Sequence, residues 1–330
     1  MAGIKALRKI QMGKETTAGT LVNSTTIWRG MGVLEDAQEV KQVEEDVGYI
    51  SGLDRQYVPK LLAKLSMDGV PATFEQLPYL GEAGIKAVWT GVADGAGGGK
   101  IYAYPMPTTQ KNTINTFTLE GGDDQQEEEC EYGFVEAFKL AGKAGEAWMM
   151  SADWAGRQVA LGTFTASLTP PTIEEILFSK SLLYIDATTL GTTLKSNTLL
   201  AADVAVKTGW VAVFAADGQL YFSFAKIAMP EVTLAITFEH ETTAVAEKAA
   251  WRAGTRRFIR IKTTGSTVTS GSSYTAKTLL LDFGGKWEKF DKLGVQDGND
   301  VVTGTLRARP STADANFFTM TVVNTLTTLT

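Results

Sequence analysis

The stretch Val211-Ala-Val-Phe-Ala-Ala-Asp-Gly-Gln-Leu-Tyr-Phe-Ser-Phe224 indicates the fold class. Two runs rich in valine, phenylalanine and tyrosine flank an Asp-Gly pair, which is the strongest short-range signal for a β-hairpin. Toward the C-terminus, three more β-prone runs begin at Lys277, Trp287 and Val301, and glycine-containing turns separate them. We expect these runs to form a meander, and the sequence therefore predicts a mainly β protein.

The composition is that of a globular chain with one large core or two smaller cores. Of the 330 residues, 44% are hydrophobic and 21% are charged, and 33 glycines with only 9 prolines favour many short strands and turns. The single cysteine, Cys130, excludes an internal disulfide framework, and the single histidine, His240, excludes sites that need two imidazoles. We therefore expect no enzyme active site and no cofactor. No stretch predicts a secretory signal or a membrane span.

Only two segments have helical periodicity, 74–88 and 243–253. Thr73 and Gln76 form a capping box at the start of the first segment. Pro78 lies just inside that segment and favours a late start or a kink. We expect each helix to lie against one β unit, because a sheet with one apolar face must bury that face.

Three short sequence matches occur in the same order in both halves and indicate an internal duplication. They pair 63–67 with 225–229, 73–75 with 237–239, and 135–138 with 287–290. Pro170 and Pro171 mark a boundary between the halves. The sequence thus predicts two tandem β-sandwich or open-barrel units, each with one flanking α-helix. We expect an N-terminal arm at 1–26, a first unit at 27–169 with a loop insertion at 90–113, and a second unit at 170–330.

Acidic residues are concentrated in the first half, where residues 1–170 hold 22 acidic and 15 basic side chains. This balance argues against binding duplex DNA through its phosphates, because such binding needs clustered Lys and Arg. Six carboxylates fall within nine residues without the spacing of a calcium-binding loop. A solvated strand face and an electrostatic role both remain open for them. They are Asp123, Asp124, Glu127, Glu128, Glu129 and Glu131.

The glycine-rich run 95–100 does not have the spacing of a phosphate-binding loop. Asp94 and Ile101 stand where that motif needs Gly and Ser or Thr. We expect a flexible loop there, followed by an apolar segment suited to contact with another molecule. The residues in question are Gly95, Gly97, Gly98, Gly99, Tyr102 and Tyr104.

Several pieces of the sequence together resemble a known family. They are Leu34-Glu-Asp, Glu44-Glu-Asp-Val-Gly48, Thr73-Phe-Glu-Gln-Leu-Pro-Tyr79, Glu120-Gly-Gly-Asp-Asp124, the strand at 147–156, Pro170-Pro-Thr-Ile-Glu174 and Thr319-Met-Thr-Val-Val-Asn-Thr-Leu326. This pattern resembles the tail tube proteins, or major tail proteins, of long flexible-tailed, siphovirus-like bacteriophages. The resemblance extends from about Ile27 to the end of the chain.

The resemblance implies a structural, non-catalytic protein of the virion. Such subunits assemble in the host cytoplasm into hexameric rings that stack into a tail tube, with the tape measure protein and tail-end proteins as partners. Duplex DNA passes through the channel without specific binding, and no membrane or cofactor is involved. We expect the acidic run 123–131 to face the channel and the 90–113 insertion to contact the neighbouring ring. The alternative is a non-catalytic β-sandwich binding module, for carbohydrate or for capsid decoration.

Overall fold

The structure is a computed structural model that describes residues 3–312 and 317–330, and the chain is mainly β, as predicted. The strands of the first half are β1 (Lys9–Lys14), β2 (Thr26–Ile27), β3 (Gly32–Asp36), β4 (Glu39–Gln42), β5 (Gln56–Lys60), β6 (Ala63–Pro71), β7 (Val92–Ala93), β8 (Lys100–Pro105), β9 (Phe117–Gly122), β10 (Glu127–Lys143), β11 (Met149–Gly156) and β12 (Val159–Leu161). Those of the second half are β13 (Ser181–Asp186), β14 (Leu194–Lys195), β15 (Leu199–Lys207), β16 (Trp210–Val213), β17 (Phe224–Ile227), β18 (Glu231–Glu239), β19 (Arg256–Thr267), β20 (Ala276–Phe290), β21 (Gly294–Gln296), β22 (Asn299–Ala308) and β23 (Phe318–Asn324).

The two predicted helices are present as α1 (Leu77–Gly84) and α2 (Thr242–Arg252). α1 begins late because Pro78 occupies its first turn, where a missing N–H costs no helical hydrogen bond. Thr73 Oγ1 accepts a hydrogen bond from the Gln76 N–H at 3.2 Å, which is one of the two bonds of the predicted capping box. The Gln76 side chain accepts from the Thr73 hydroxyl group instead of supplying the reciprocal backbone bond. The residues of α1 are all buried, since the helix packs against β10, β8 and β23.

One sheet runs through both halves of the chain. Its strand order is β3-β6-β11-β10-β15-β18-β22-β20, and we call it the spanning sheet. The step between the halves is the antiparallel β10–β15 pair, in register from Ala137↔Lys207 to Lys143↔Ala201. The two halves are therefore joined by backbone hydrogen bonds as well as by the segment that contains Pro170.

Each half adds a second layer of strands behind the spanning sheet. In the first half this layer is β1-β9-β10-β12, and in the second half it is β13-β19-β20-β23, with β8 added at the edge. The long strands β10 and β20 belong to both layers. The Trp154 ring of β11 lies edge-on to the Phe117 ring of β9, with centroids 5.8 Å apart, so aromatic contacts fill the space between the layers. One core cluster includes residues of both halves.

The two halves repeat the same pattern of strand pairing. Six strand pairs of the first half each have a counterpart in the second half. The equivalent strands are β1 and β13, β3 and β15, β6 and β18, β9 and β19, β10 and β20, β11 and β22, and β12 and β23. A register shift recurs between Val135 and Ala137 in β10 and between Trp287 and Lys289 in β20. The sequence match of 135–138 with 287–290 therefore falls on equivalent positions.

The other two sequence matches differ in quality. The segments 73–75 and 237–239 each precede a helix and supply a fully buried phenylalanine, Phe74 and Phe238. In contrast, 63–67 begins β6, whereas 225–229 falls in and just after β17, which belongs to a separate two-stranded hairpin with β16. This match joins positions that are not equivalent.

Two segments expected to lie outside the β layers belong to them. The predicted N-terminal arm contributes β1, whose Ile10 and Met12 are buried and which pairs with β9 along its whole length. The predicted loop insertion, 90–113, contains β7 and β8, and β8 pairs with β23 of the second half. The alternation of buried and half-buried residues in β8 explains why it forms a strand.

The hairpin of 211–224 is present with a wider turn than Asp217-Gly218 implies. β16 and β17 pair from Trp210↔Ile227 to Val213↔Phe224, and residues 214–223 connect them. The reason is that Phe222 turns inward, is fully buried, and contacts Phe134 edge to face at 5.9 Å.

The predicted break of the meander at Gly284-Gly285 is wrong, because β20 continues through both glycines. On one edge, β20 pairs with β23 up to Phe283 and with β22 from Gly285 onward. A Cβ at Gly285 would lie 2.3 Å from the carbonyl oxygen of Arg307. A glycine therefore lets β22 approach β20 closely at the point where β22 replaces β23 as its neighbour.

Candidate assembly surface

The face of the spanning sheet that points away from the core is polar, and we call it the open face. Alternation along each strand places apolar residues toward the core and small or charged residues on the other side. Residues of the open face are Lys64, Ser66, Lys139, Asp153, Asp203, Thr233, Ala235, Thr237, Thr303, Thr305 and Arg307. The open face therefore spans both halves without interruption.

Charges on the open face are largely compensated by neighbours. Lys139 Nζ lies 2.6 Å from Asp203 Oδ2 across the β10–β15 junction. The hydroxyl groups of Thr237 and Thr303 are hydrogen bonded at 2.9 Å. A face of threonines and paired charges offers no cluster of cations for phosphate groups.

The spanning sheet ends in two unpaired edges within the described residues. At one end, β3 pairs with β6 only, and the side chains of Glu35 and Asp36 are exposed. At the other end, the last part of β20 pairs with β22 only, and Lys289 and Lys292 are exposed. Unpaired strand edges readily pair with another strand. Here one end is acidic, while the other carries Lys289 and Lys292 beside the exposed Glu288 and Asp291.

Exposed apolar side chains are concentrated at the tip of the β4–β5 hairpin. Ile50 is fully exposed, and Tyr49 is 71% exposed. Val47 and Leu53 are also exposed. Sequence reasoning missed this tip, although apolar residues interrupt the otherwise polar segment 43–55 and were a usable signal.

The predicted acidic run lies in the second layer of the first half, at the β9–β10 turn and along β10. Asp123 closes the turn by accepting hydrogen bonds from the Gln125 and Gln126 N–H groups. Glu127 accepts a hydrogen bond from the Phe164 N–H at 2.7 Å. The structure thus places this run on the layer behind the spanning sheet, away from the open face.

The carboxylates of this run have different electrostatic surroundings. The backbone N–H of Ile4 donates to Asp124 and lowers the pKa of that carboxyl. Burial, and secondarily the Glu120 carboxylate, raises the pKa of Glu129. Burial likewise raises the pKa of Glu131. Glu128 accepts a hydrogen bond from Gln126. These groups are tied into the subunit, so the run is more than a solvated charge patch.

The predicted inter-ring loop is also held within the subunit. The Asp94 carboxylate accepts hydrogen bonds from the Ser273 and Tyr274 N–H groups, which fixes the glycine run against the β19–β20 loop. Gly97 approaches Gly271 so closely that a Cβ would lie 2.5 Å from its backbone. Gly95, Gly98 and Gly99 also contact residues of that loop or of β23.

Tyr102 and Tyr104 have no exposed surface, which corrects their expected role as apolar contacts with a neighbour. The Tyr102 hydroxyl donates to the Leu326 carbonyl oxygen at 2.7 Å. The Tyr104 hydroxyl donates to the Glu82 carboxylate at 3.0 Å. Alternation along β8 turns both rings into the core, so they stabilise the fold of the chain itself.

Glu82 is a fully buried carboxyl group in α1. It also accepts hydrogen bonds from the Val88 N–H at 2.7 Å and from Asn115 Nδ2 at 2.5 Å. Burial raises the pKa of Glu82 to about 7, although the three hydrogen bonds and the charge of Lys14 act in the opposite direction. The carboxyl group is thus a buried hydrogen-bond centre that joins α1 to the segment after it and to β8.

The single cysteine and the single histidine lie in different surroundings. Cys130 is buried, and burial together with the Glu131 and Glu15 carboxylates raises the pKa of its thiol strongly. His240 lies at the corner between β18 and α2, where its backbone N–H donates to the Asp300 carbonyl oxygen. In residues 3–312 and 317–330, no group of three or more His, Cys, Asp or Glu side chains is arranged to hold a metal ion.

No helix in the described part of the chain is both long and apolar enough to cross a membrane. Comparison with protein-family models finds none that matches this chain. Comparison with curated proteins likewise finds no match. The geometry of the spanning sheet and its edges is therefore the main indication of function.

Proposed function

We propose that this protein is a self-assembling structural subunit of a tube, of the kind that the sequence resemblance implies for bacteriophage tails. The observation that carries the proposal is the spanning sheet, which crosses both halves, presents one polar face and ends in two unpaired edges. A ring closed through these edges has no free edge left, which removes the tendency of open sheets to pair at random. The repeated pairing pattern of the two halves supports an internal duplication of one tube unit.

In this proposal the open face lines the channel. Its charges are paired and its threonine hydroxyl groups are uncharged, so it offers no cation cluster that would hold the phosphates of duplex DNA. DNA then passes without specific binding, and the tape measure protein occupies the same space before ejection. This assignment replaces the acidic run 123–131 as the lining of the channel.

The exposed apolar tip of the β4–β5 hairpin contacts the next ring in the stack. Burial of Tyr49 and Ile50 there removes apolar surface from water, which favours stacking. The 90–113 segment is assigned no such role, because β8 and the glycine run are docked on the chain itself.

Electron microscopy of the concentrated, purified protein tests the proposal. We expect rings or tubes with an axial channel, and an assembled fraction that rises with protein concentration. A protein that remains monomeric at every concentration, and that is enriched on glycans or capsids instead, would overturn the proposal in favour of a binding module.

A further inference from the structure

We propose that the two unpaired edges of the spanning sheet bind each other in successive copies of this chain, with Asp291 opposite Glu35 of the next copy. The inference rests on the proposed function, assembly into rings, and adds to it the strands and the register of the contact. The partner is a second copy, because the chain already contains one example of the same junction.

That example is the β10–β15 pair between the two halves. β20 is the counterpart of β10, and β3 is the counterpart of β15, by the repeated pattern of pairing. In β10, the edge at 137–143 is covered by β15. In β20, the corresponding edge beyond Lys286 has no strand partner among the described residues, although Trp251 Nε1 of α2 donates to the Glu288 carbonyl oxygen there at 3.1 Å. The outer edge of β3 has no strand partner among them either.

The register on the β20 side follows from the shared register shift. After the shift, Ala137 lies opposite Asp153 of β11, and Lys289 lies opposite Thr305 of β22. Lys289 is therefore the counterpart of Ala137. Two residues farther along each strand, Asp291 is the counterpart of Lys139.

The register on the β3 side follows from two further steps across the sheet. Trp154 of β11 lies opposite Leu65, and Leu65 lies opposite Leu34. In the second half, Leu306 of β22 lies opposite Leu234, and Leu234 lies opposite Val204. Leu34 is therefore the counterpart of Val204, and the next residue, Glu35, is the counterpart of Ala205.

These two results fix the junction. Within the chain, Lys139 lies opposite Ala205. By correspondence, Asp291 of one copy lies opposite Glu35 of the next. Residues 291–293 follow the end of β20, and the Asp291 N–H already donates to the Thr303 carbonyl oxygen at 2.9 Å. Pairing with β3 extends this strand by a few residues.

Charge at the two edges fits the same geometry. In the β10–β15 junction, Lys139 bonds Asp203, which is two residues diagonal to it on the same face. Lys289 has that diagonal relation to Glu35 of the next copy. In the single chain, Lys289 Nζ lies 3.1 Å from Asp291 Oδ1, so one ammonium group offsets the repulsion between the two carboxylates.

Apolar side chains at both edges add contact area. Met31 and Val33 are each 55% exposed beside β3. Leu293 is 46% exposed and Val295 is 73% exposed beyond the end of β20. Closing the junction brings these four side chains to the same interface and removes apolar surface from water.

Two single-cysteine substitutions, made in separate proteins and mixed, test the register. Asp291→Cys and Glu35→Cys both lie on the open face, and Cys130 is buried and unreactive. Under mild oxidation of assembled protein, we expect the mixture to give disulfide-linked dimers and no higher species, since each chain carries one accessible thiol. The matched control mixes Asp291→Cys with Val33→Cys, two residues out of register, and should give at least about tenfold less dimer.

A charge exchange provides a second test that does not depend on disulfide geometry. Lys289→Glu alone should impair ring formation, and Lys289→Glu combined with Glu35→Lys should restore it. Rings that form while the Asp291–Glu35 mixture gives no more dimer than the control would overturn this junction and leave the proposed function standing. Wild-type protein that never assembles would overturn both.

Discussion

At the scale of single residues, the buried Glu82 carboxyl gives the subunit a stability that depends on pH. Its pKa is about 7 in the folded chain, against 4.5 for an unperturbed glutamic acid. As the pH rises between these values, the unfolded chain loses this proton before the folded chain does. The contribution to stability is therefore complete below about pH 4.5 and is lost as the pH rises through 7.

Glu82→Gln should flatten this dependence, because the amide is neutral at all pH values and still accepts the Val88 and Tyr104 hydrogen bonds. The wild-type protein should lose up to about 3 kcal/mol of unfolding free energy between pH 4.5 and pH 8, relative to the variant. Melting temperatures measured across this range check the prediction. Parallel pH profiles of the two proteins would show that Glu82 does not titrate as described.

The role of a single residue was predictable only where its contacts lie close to it in sequence. The hydrogen bond from the Gln76 N–H to Thr73 follows from residues three positions apart and is present, although it closes the turn before α1, whose N-cap is Gln76. The roles of Tyr102 and Tyr104 depend on β23, more than 200 residues away in sequence, and the prediction was wrong. The alternation from Ile101 to Met106 was the signal that favoured a strand there.

At the scale of secondary-structure elements, β20 depends on a glycine at the point where its neighbour changes. Gly285→Ala places a methyl group 2.3 Å from the Arg307 carbonyl oxygen, and that neighbour is backbone and not a flexible side chain. β22 must then move away from β20. We expect a loss of about 2 kcal/mol or more in unfolding free energy, measured by denaturant titration.

Gly69→Ala is the matched control for this substitution. Gly69 also lies in a strand of the spanning sheet, and a Cβ there would meet no atom within 4 Å. Its effect should remain within about 0.5 kcal/mol. Equal losses for the two variants would show that the close approach of β22 is not what Gly285 provides.

Element types were largely predictable, whereas the ends of several strands were not. Alanine-rich periodicity located α2 to within a residue at each end, since helical contacts are local. The run around Asp217-Gly218 predicted a hairpin, but the inward turn of Phe222 lengthened its loop. Gly284 and Gly285 were interpreted as a turn. The sequence alone does not distinguish a glycine that ends a strand from a glycine that allows a neighbouring strand to pack closely.

At the scale of the whole molecule, we expect the open face to determine whether the assembled tube retains duplex DNA. Thr233→Lys with Thr305→Lys adds two positive charges to this face in each subunit. We expect tubes of this variant to retain duplex DNA at low salt and to release it as salt rises, because counterion release drives such binding. Wild-type tubes should not retain DNA under either condition. Filter binding or co-sedimentation at several salt concentrations measures this.

Glu128→Lys is the control, since it makes the same change in net charge on the layer behind the spanning sheet. Tubes with Glu128→Lys should release DNA as the wild type does. Retention by Glu128→Lys and not by the double threonine variant would show that the acidic run, and not the open face, borders the channel.

The spanning sheet itself was not predictable from the sequence. Composition and strand patterns predicted the mainly β class. Short sequence matches predicted two similar halves, and one of the three matches joins positions that are not equivalent. The β10–β15 junction and the β8–β23 pair join positions that are 58 or more residues apart in sequence, and no local pattern specifies such partners. The layer that holds the acidic run was not predictable for the same reason, because it depends on which layer β10 occupies at each point along its length.

The β10–β15 junction also affects how quickly rings can form. Because both of its strands belong to one polypeptide, this contact forms during folding and requires no encounter between molecules. Association of separate subunits costs about 4–15 kcal/mol in lost translational and rotational freedom for each contact. A ring of tandem chains meets that cost at only every second sheet junction. Such a chain should nucleate rings at lower concentration, and with fewer incomplete arcs, than a subunit with a single sheet would.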